Sequence, residues 1–112
     1  MLFRSEHANF YACTALPGSK LYFEAKKAGW YVPSGTNYSE FAFLAYDHVP
    51  LPTKTLSAAE VLEFRDQKWH EYFNNERYLD LVEKRFGNKS RQNIIEMSKI
   101  KLKRKILGHS KP

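Results

Sequence analysis

Leu56-Ser57-Ala58-Ala59-Glu60-Val61 decides the reading of the second half of this 112-residue chain. A serine three residues before a glutamate, ahead of an apolar run, is the signature of a capping box. The Ser57 hydroxyl accepts from the Glu60 amide, the Glu60 carboxylate returns to the Ser57 amide, and Leu56 and Val61 form the accompanying hydrophobic staple. Counting about 100° per residue from Ser57, Val61, Tyr72, Ala58, Trp69, Leu62 and Phe73 share one arc, while Glu60, Glu63, Gln67, His70 and Glu71 fall opposite. The spacing predicts an amphipathic helix over Ala58 to Phe73. Asn74 or Asn75 can cap the next helix, in which Tyr78, Leu79, Val82 and Phe86 recur at helical spacing before Gly87 ends it. A last helix is expected from Ser90 to Leu107, and three consecutive helices joined by short turns favour antiparallel or orthogonal packing.

Upstream of Leu56 the character changes. Asp47-His48-Val49-Pro50-Leu51-Pro52-Thr53 is an extended joint, because two prolines one residue apart forbid a helix through it. Asn9 to Ala15 mixes Phe, Tyr, Cys and Thr, stops at Leu16-Pro17-Gly18-Ser19, and reads as a short strand. Ser19 then caps a short helix through Leu21, Tyr22, Ala25 and Ala28, closed by Gly29. Turn signals at Pro33, Gly35 and Asn37 dominate the following stretch. The run Phe41 to Tyr46 fits either a strand or a short helix. These readings describe an α+β chain, mostly helical, with one or two short N-terminal strands followed by about three packed C-terminal helices. They form a single domain over residues 1–112, with strand, short helix and Pro/aromatic-rich loops to 56 and a helical part from 57.

Composition sets the class. The chain has 18 Lys and Arg against 12 Asp and Glu, for a formal net charge of +6. With 43% hydrophobic and 15% aromatic residues it has ample material for a core, so disorder is not expected. The single cysteine, Cys13, excludes an internal disulfide and favours a reducing, cytoplasmic setting. No apolar run approaches the roughly 20 residues of a membrane span. The basic excess is uneven: 5 basic and 4 acidic residues precede Leu56, against 13 and 8 from Leu56 on.

The tail Ser98 to Pro112 has six basic residues and no acidic one, which raises a nucleic-acid or anionic-membrane partner, or contact with an acidic protein surface. On the expected helix, however, Ile95, Leu102 and Ile106 align, with Lys101 and Lys105 on one side and Lys99 and Lys103 on the other. Lysines bordering an apolar seam with their heads in water is the favoured reading, and it speaks against nucleic acid. Arg65 is more unusual, lying within the apolar arc between Val61, Leu62, Trp69 and Tyr72. A charge there needs a partner: it snorkels past Trp69, stacks on an aromatic or pairs within the chain, or it bonds a carboxylate or backbone carbonyls on a further body of protein. In the latter case Arg65, Trp69 and Tyr72 are interdomain contacts. Pro17-Gly18-Ser19-Lys20 lacks the glycine spacing of a phosphate loop and reads as a turn with a serine cap. Cys13 reads as a small buried hydrophobe rather than a nucleophile. No catalytic triad, acid and base pair or metal-ligand spacing is visible.

The order of these motifs carries a resemblance. Tyr11 through Leu16-Pro17-Gly18-Ser19-Lys20-Leu21-Tyr22, Ala25, Gly29-Trp30, Pro50-Leu51-Pro52-Thr53, Leu56 to Asp66, Tyr72-Phe73, Tyr78-Leu79, Phe86-Gly87 and Leu102-Lys103-Arg104-Lys105 together cover nearly the whole chain. In that order it resembles the C-terminal region of cobalamin-dependent radical SAM enzymes. These include radical methyltransferases and relatives of the anaerobic magnesium-protoporphyrin monomethyl ester cyclase, many described only as Fe-S oxidoreductases. The resemblance implies a parent with a cobalamin-binding domain and a partial barrel, whose C-x-x-x-C-x-x-C loop holds a [4Fe-4S] cluster that cleaves S-adenosylmethionine. One cysteine cannot hold that cluster. The expectation is therefore a non-catalytic C-terminal accessory domain that binds no cofactor itself and whose partner is the rest of the parent. Asn9 to Ala15 would match the last barrel strand or its neighbour, placing Tyr11, Ser19 and Lys20 near the barrel mouth as candidates for contact with substrate or cofactor. The alternative is a small basic module that binds nucleic acid or protein.

Overall fold

The computed structural model describes residues 8–30, 33 and 37–111; Gly35, one of the expected turn signals, lies outside them. Four α-helices follow one another, α1 (Lys20–Lys27), α2 (Ala58–Phe73), α3 (Glu76–Phe86) and α4 (Asn88–Ser98), with 3-10 turns at Tyr38–Phe41 and Lys105–Leu107. The described residues fall into two compact units. A helical unit contains residues 8–10 and 66–101, and a loop-rich unit contains residues 11–65 and 102–111.

The local signals of the helix ends hold. Ser57 N–H donates to Glu60 Oε2 at 2.7 Å and Glu60 N–H donates to Ser57 Oγ at 3.2 Å, so the capping box is complete. Replacing Ser57 with alanine removes one of these bonds and is expected to cost about 1 kcal/mol. An unchanged denaturation midpoint by circular dichroism would show that the box contributes nothing. Asn75 caps α3, its Oδ1 accepting from Arg77 N–H at 2.9 Å and Tyr78 N–H at 3.3 Å. At the end of α1, Gly29 takes φ 78°, while Gly29 N–H reaches Lys26 O and Trp30 N–H reaches Ala25 O at 3.0 Å. That pair of bonds needs a left-handed residue at Gly29.

No strand forms among the described residues, so the expected N-terminal strands, and with them the α+β class, are corrected to an all-helical architecture. The physical reason lies in the partner segment. Cys13 O accepts one backbone bond, from Leu51 N–H at 2.8 Å. Leu51 is flanked by Pro50 and Pro52, neither of which has an N–H, so the pairing cannot propagate into a ladder. Phe41 to Tyr46 likewise becomes the end of a 3-10 turn followed by turns, with Asn37 Oδ1 accepting from Ser39 N–H.

The last helix is also shorter than expected, ending at Ser98 rather than Leu107. Ser98 Oγ donates to the Ile95 carbonyl three residues back at 2.9 Å and lies 3.1 Å from Asn74 Oδ1. Such a bond competes with helical backbone pairing at that turn. Leu102 and Ile106 therefore do not continue a helical seam with Ile95. Of the three C-terminal helices, α3 and α4 pack extensively against each other, whereas α2 contributes the end of its apolar face to their core. That core is Phe73, Tyr78, Leu79 and Val82, with Trp69, Tyr72, Ile94, Ile95 and Met97 packed around it.

The loop-rich unit has its own small core of Ala15, Tyr22, Ala25 and Leu51, against which Leu21 and Phe41 pack. The Tyr22 hydroxyl donates to Pro33 O at 3.1 Å, tying α1 to the following loop.

Candidate functional site

The structure brings two of the expected site residues together around a third. Phe43 lies in the loop after the first 3-10 turn, and its ring meets Tyr11 edge-on with centroids 4.6 Å apart. The Arg65 guanidinium stands over the same ring, 5.4 Å from its centroid. Arg65 is 8% exposed, so the apolar arc of α2 keeps its cation by placing it on an aromatic face, where the ring quadrupole attracts it. Tyr11 on the opposite contact is 63% exposed. The result is an aromatic platform whose outer member, Tyr11, faces solvent.

Beneath the platform sits a feature the sequence reading missed. Arg104 is fully buried, and its Nη1 donates to Phe43 O at 2.7 Å and Ala45 O at 3.0 Å. The flanking strap is fastened to the same loop, with Lys105 N–H donating to Tyr46 O at 3.0 Å and the Tyr46 hydroxyl donating to His109 O at 2.7 Å. One guanidinium thus fixes the backbone of Phe43 while another holds its ring. His48 is also fully buried, with Nδ1 3.1 Å from Glu40 O.

The other expected site residues lie elsewhere. Ser19 Oγ accepts from Tyr22 N–H at 3.1 Å and donates to Leu16 O at 2.6 Å, so it works as a cap and turn lock. Lys20 is exposed, with Nζ 3.6 Å from Glu24. Trp69 and Tyr72 belong to the helical unit, where their rings lie 4.8 and 5.0 Å from Phe73, and Tyr72 also meets Phe10 and Tyr78. Cys13, expected to be buried, is exposed, because Ala12 and Ala15 point to the interior instead.

Electrostatically the outstanding group is in the helical unit. Arg91 of α4 reaches three carboxylates of α3, with Nη1 2.6 Å from Asp80 and 3.1 Å from Glu83 and Nη2 2.9 Å from Glu76. The hydrogen bond to Asp80 is the main cause of a pKa raised above the ordinary arginine value; desolvation opposes the shift and Glu76 and Glu83 support it. This cross-link ties α3 to α4.

Among the described residues no group of three or more His, Cys, Asp or Glu could hold a metal ion, and the chain's one cysteine does not fit a cluster that needs three thiolates. No helix of the described residues is long and apolar enough to cross a membrane. Leu16, Phe23, Trp30, Tyr38 and Leu44 of the loop-rich unit are exposed. No family model, curated protein or solved structure matches the chain.

Proposed function

We propose that this chain is the C-terminal, non-catalytic segment of a cobalamin-dependent radical SAM enzyme, closing against the rest of that enzyme through the loop-rich unit. The supporting observation is what the motif residues do. Leu16 to Ser19 form a turn and cap, Leu51 is core, Ser57 and Glu60 form the capping box, Arg65 rests on Phe43, Leu79 is buried, and Arg104 holds the loop. Motifs spent on caps and buried contacts suit a scaffold whose chemistry is supplied elsewhere. Tyr11, exposed on the Phe43 platform, is then the candidate for contact with substrate or cofactor, while Ser19 and Lys20 serve α1. The [4Fe-4S] cluster, S-adenosylmethionine and cobalamin would all be held by the parent.

Sequencing the source gene upstream of the Met1 codon tests the reading. An in-frame C-x-x-x-C-x-x-C loop within a few hundred codons is the expected result. A stop codon immediately upstream, with no such loop in a neighbouring gene, would overturn it.

A further inference from the structure

We propose that His109 is a proton-operated latch on the C-terminal strap of the loop-rich unit, closed when the imidazole is neutral and released when it is protonated. The inference stands on the strap geometry and does not depend on membership of a radical SAM enzyme. A backbone amide can only donate. The Arg104 N–H, 3.0 Å from His109 Nδ1, therefore requires a lone pair at that nitrogen, which puts the ring proton on Nε2. His109 N–H donates back to Arg104 O at 3.1 Å, and His109 O receives the Tyr46 hydroxyl. The residue is thus held through its ring, its amide and its carbonyl, and the ring bond is the one acid removes. A proton on Nδ1 sets donor against donor.

The contrast with His48 isolates the effect. Its Nδ1 faces the Glu40 carbonyl, which can only accept, so that nitrogen carries its proton already and the bond survives protonation. The charged groups of the strap around His109 are Lys103, Arg104, Lys105 and Lys111, all cationic. The loop against the strap presents the Tyr46 hydroxyl to His109, and its carboxylates are Glu40 and Asp47, the latter 3.0 Å from Ser39 Oγ. The ring's hydrogen-bond partner is an amide rather than a carboxylate. Protonation at Nδ1 offers the amide no lone pair and adds a fifth cation to the described residues of the strap. Release loosens the segment that carries Arg104, and with it the fixed backbone of Phe43.

Nitrogen-15 NMR of the whole chain tests this. At neutral pH the His109 ring should show the Nε2–H tautomer. On acidification the exchange of the Arg104, Lys105 and His109 amides, corrected for its intrinsic pH dependence, should rise about five- to tenfold in step with protonation of the ring. His109→Asn places an amide oxygen near the Nδ1 position, an acceptor at every pH, and should keep the strap closed in acid. His109→Ala should leave it open at neutral pH and in acid. Strap amides indifferent to the ring titration, or an acid response that persists in His109→Asn, where His48 is unchanged, would overturn the proposal. Should His109→Asn fail to fold, the tautomer and the coincidence of midpoints in the unaltered chain decide it.

Discussion

Replacing Arg104 with methionine is expected to destabilise the loop-rich unit by about 3 kcal/mol. The side chain is fully buried and donates to two carbonyls, Phe43 O and Ala45 O. Hydrogen bonds from a charged donor contribute about 1.5–3 kcal/mol each; Ala45 O keeps a second donor, the His48 N–H at 3.2 Å, so the loss falls mainly on Phe43 O. The apolar methionine stem recovers part of the packing, which keeps the net figure near the value of one such bond rather than two. Hydrogen exchange resolved by segment checks it: protection should fall in 38–51 and 102–111 and stay nearly unchanged in α3 and α4. Arg104→Lys, which cannot present the same planar fork, should recover less than half of the loss. Uniform loss of protection across the chain would mean that the strap is not a local device.

Phe73→Ala should have the largest effect, about 3–5 kcal/mol. Phe73 is fully buried at the end of α2, with the rings of Trp69, Tyr72 and Tyr78 centred 4.8, 5.0 and 5.5 Å away. Alanine removes the ring about which three others are arranged, and aromatic neighbours cannot collapse into the space without leaving their own contacts. Because whole domains are stable by only about 5–15 kcal/mol, the variant should lose much of its near-ultraviolet dichroism and unfold at markedly lower urea. Phe73→Leu should cost about a third as much. A midpoint for Phe73→Ala within error of the parent would show that this cluster is not the core of the helical unit.

What the sequence makes legible is local. Ser19, Ser57 with Glu60, Asn75 and Gly29 act within four residues of their partners, so residue type and spacing suffice to place them. The oddity of Arg65 was also visible, since α2's own periodicity puts it on the wrong face; its partner Phe43 was not, because nothing local joins them. Arg104 was invisible. In Lys101-Leu102-Lys103-Arg104-Lys105 it is one cation among several, and only an extended strap, not a helix, turns it inward toward carbonyls some 60 positions earlier. The N-terminal strand failed for a related reason: Asn9 to Ala15 has the composition of a strand, but pairing depends on the donors of another segment, and there the prolines leave only Leu51. Trp69 and Tyr72, the other two interdomain candidates, lie on the apolar arc that the periodicity of α2 defines, and their rings pack on Phe73 within the chain.

The path of the chain also sets an order of events during synthesis. The loop-rich unit is built from 11–65 and 102–111, with 66–101 lying between them in the chain. On a ribosome adding about 5–20 residues per second, Phe43 is made seconds before the arginine that secures its carbonyl. For that interval the Phe43 carbonyl lacks its Arg104 donor, although Tyr11 and Arg65 are already available to its ring, whereas the α3 and α4 hairpin can form without waiting for anything downstream. A chaperone that binds nascent aromatic segments would therefore have a defined window on this protein, opening when residues 37–51 emerge and closing when the strap arrives.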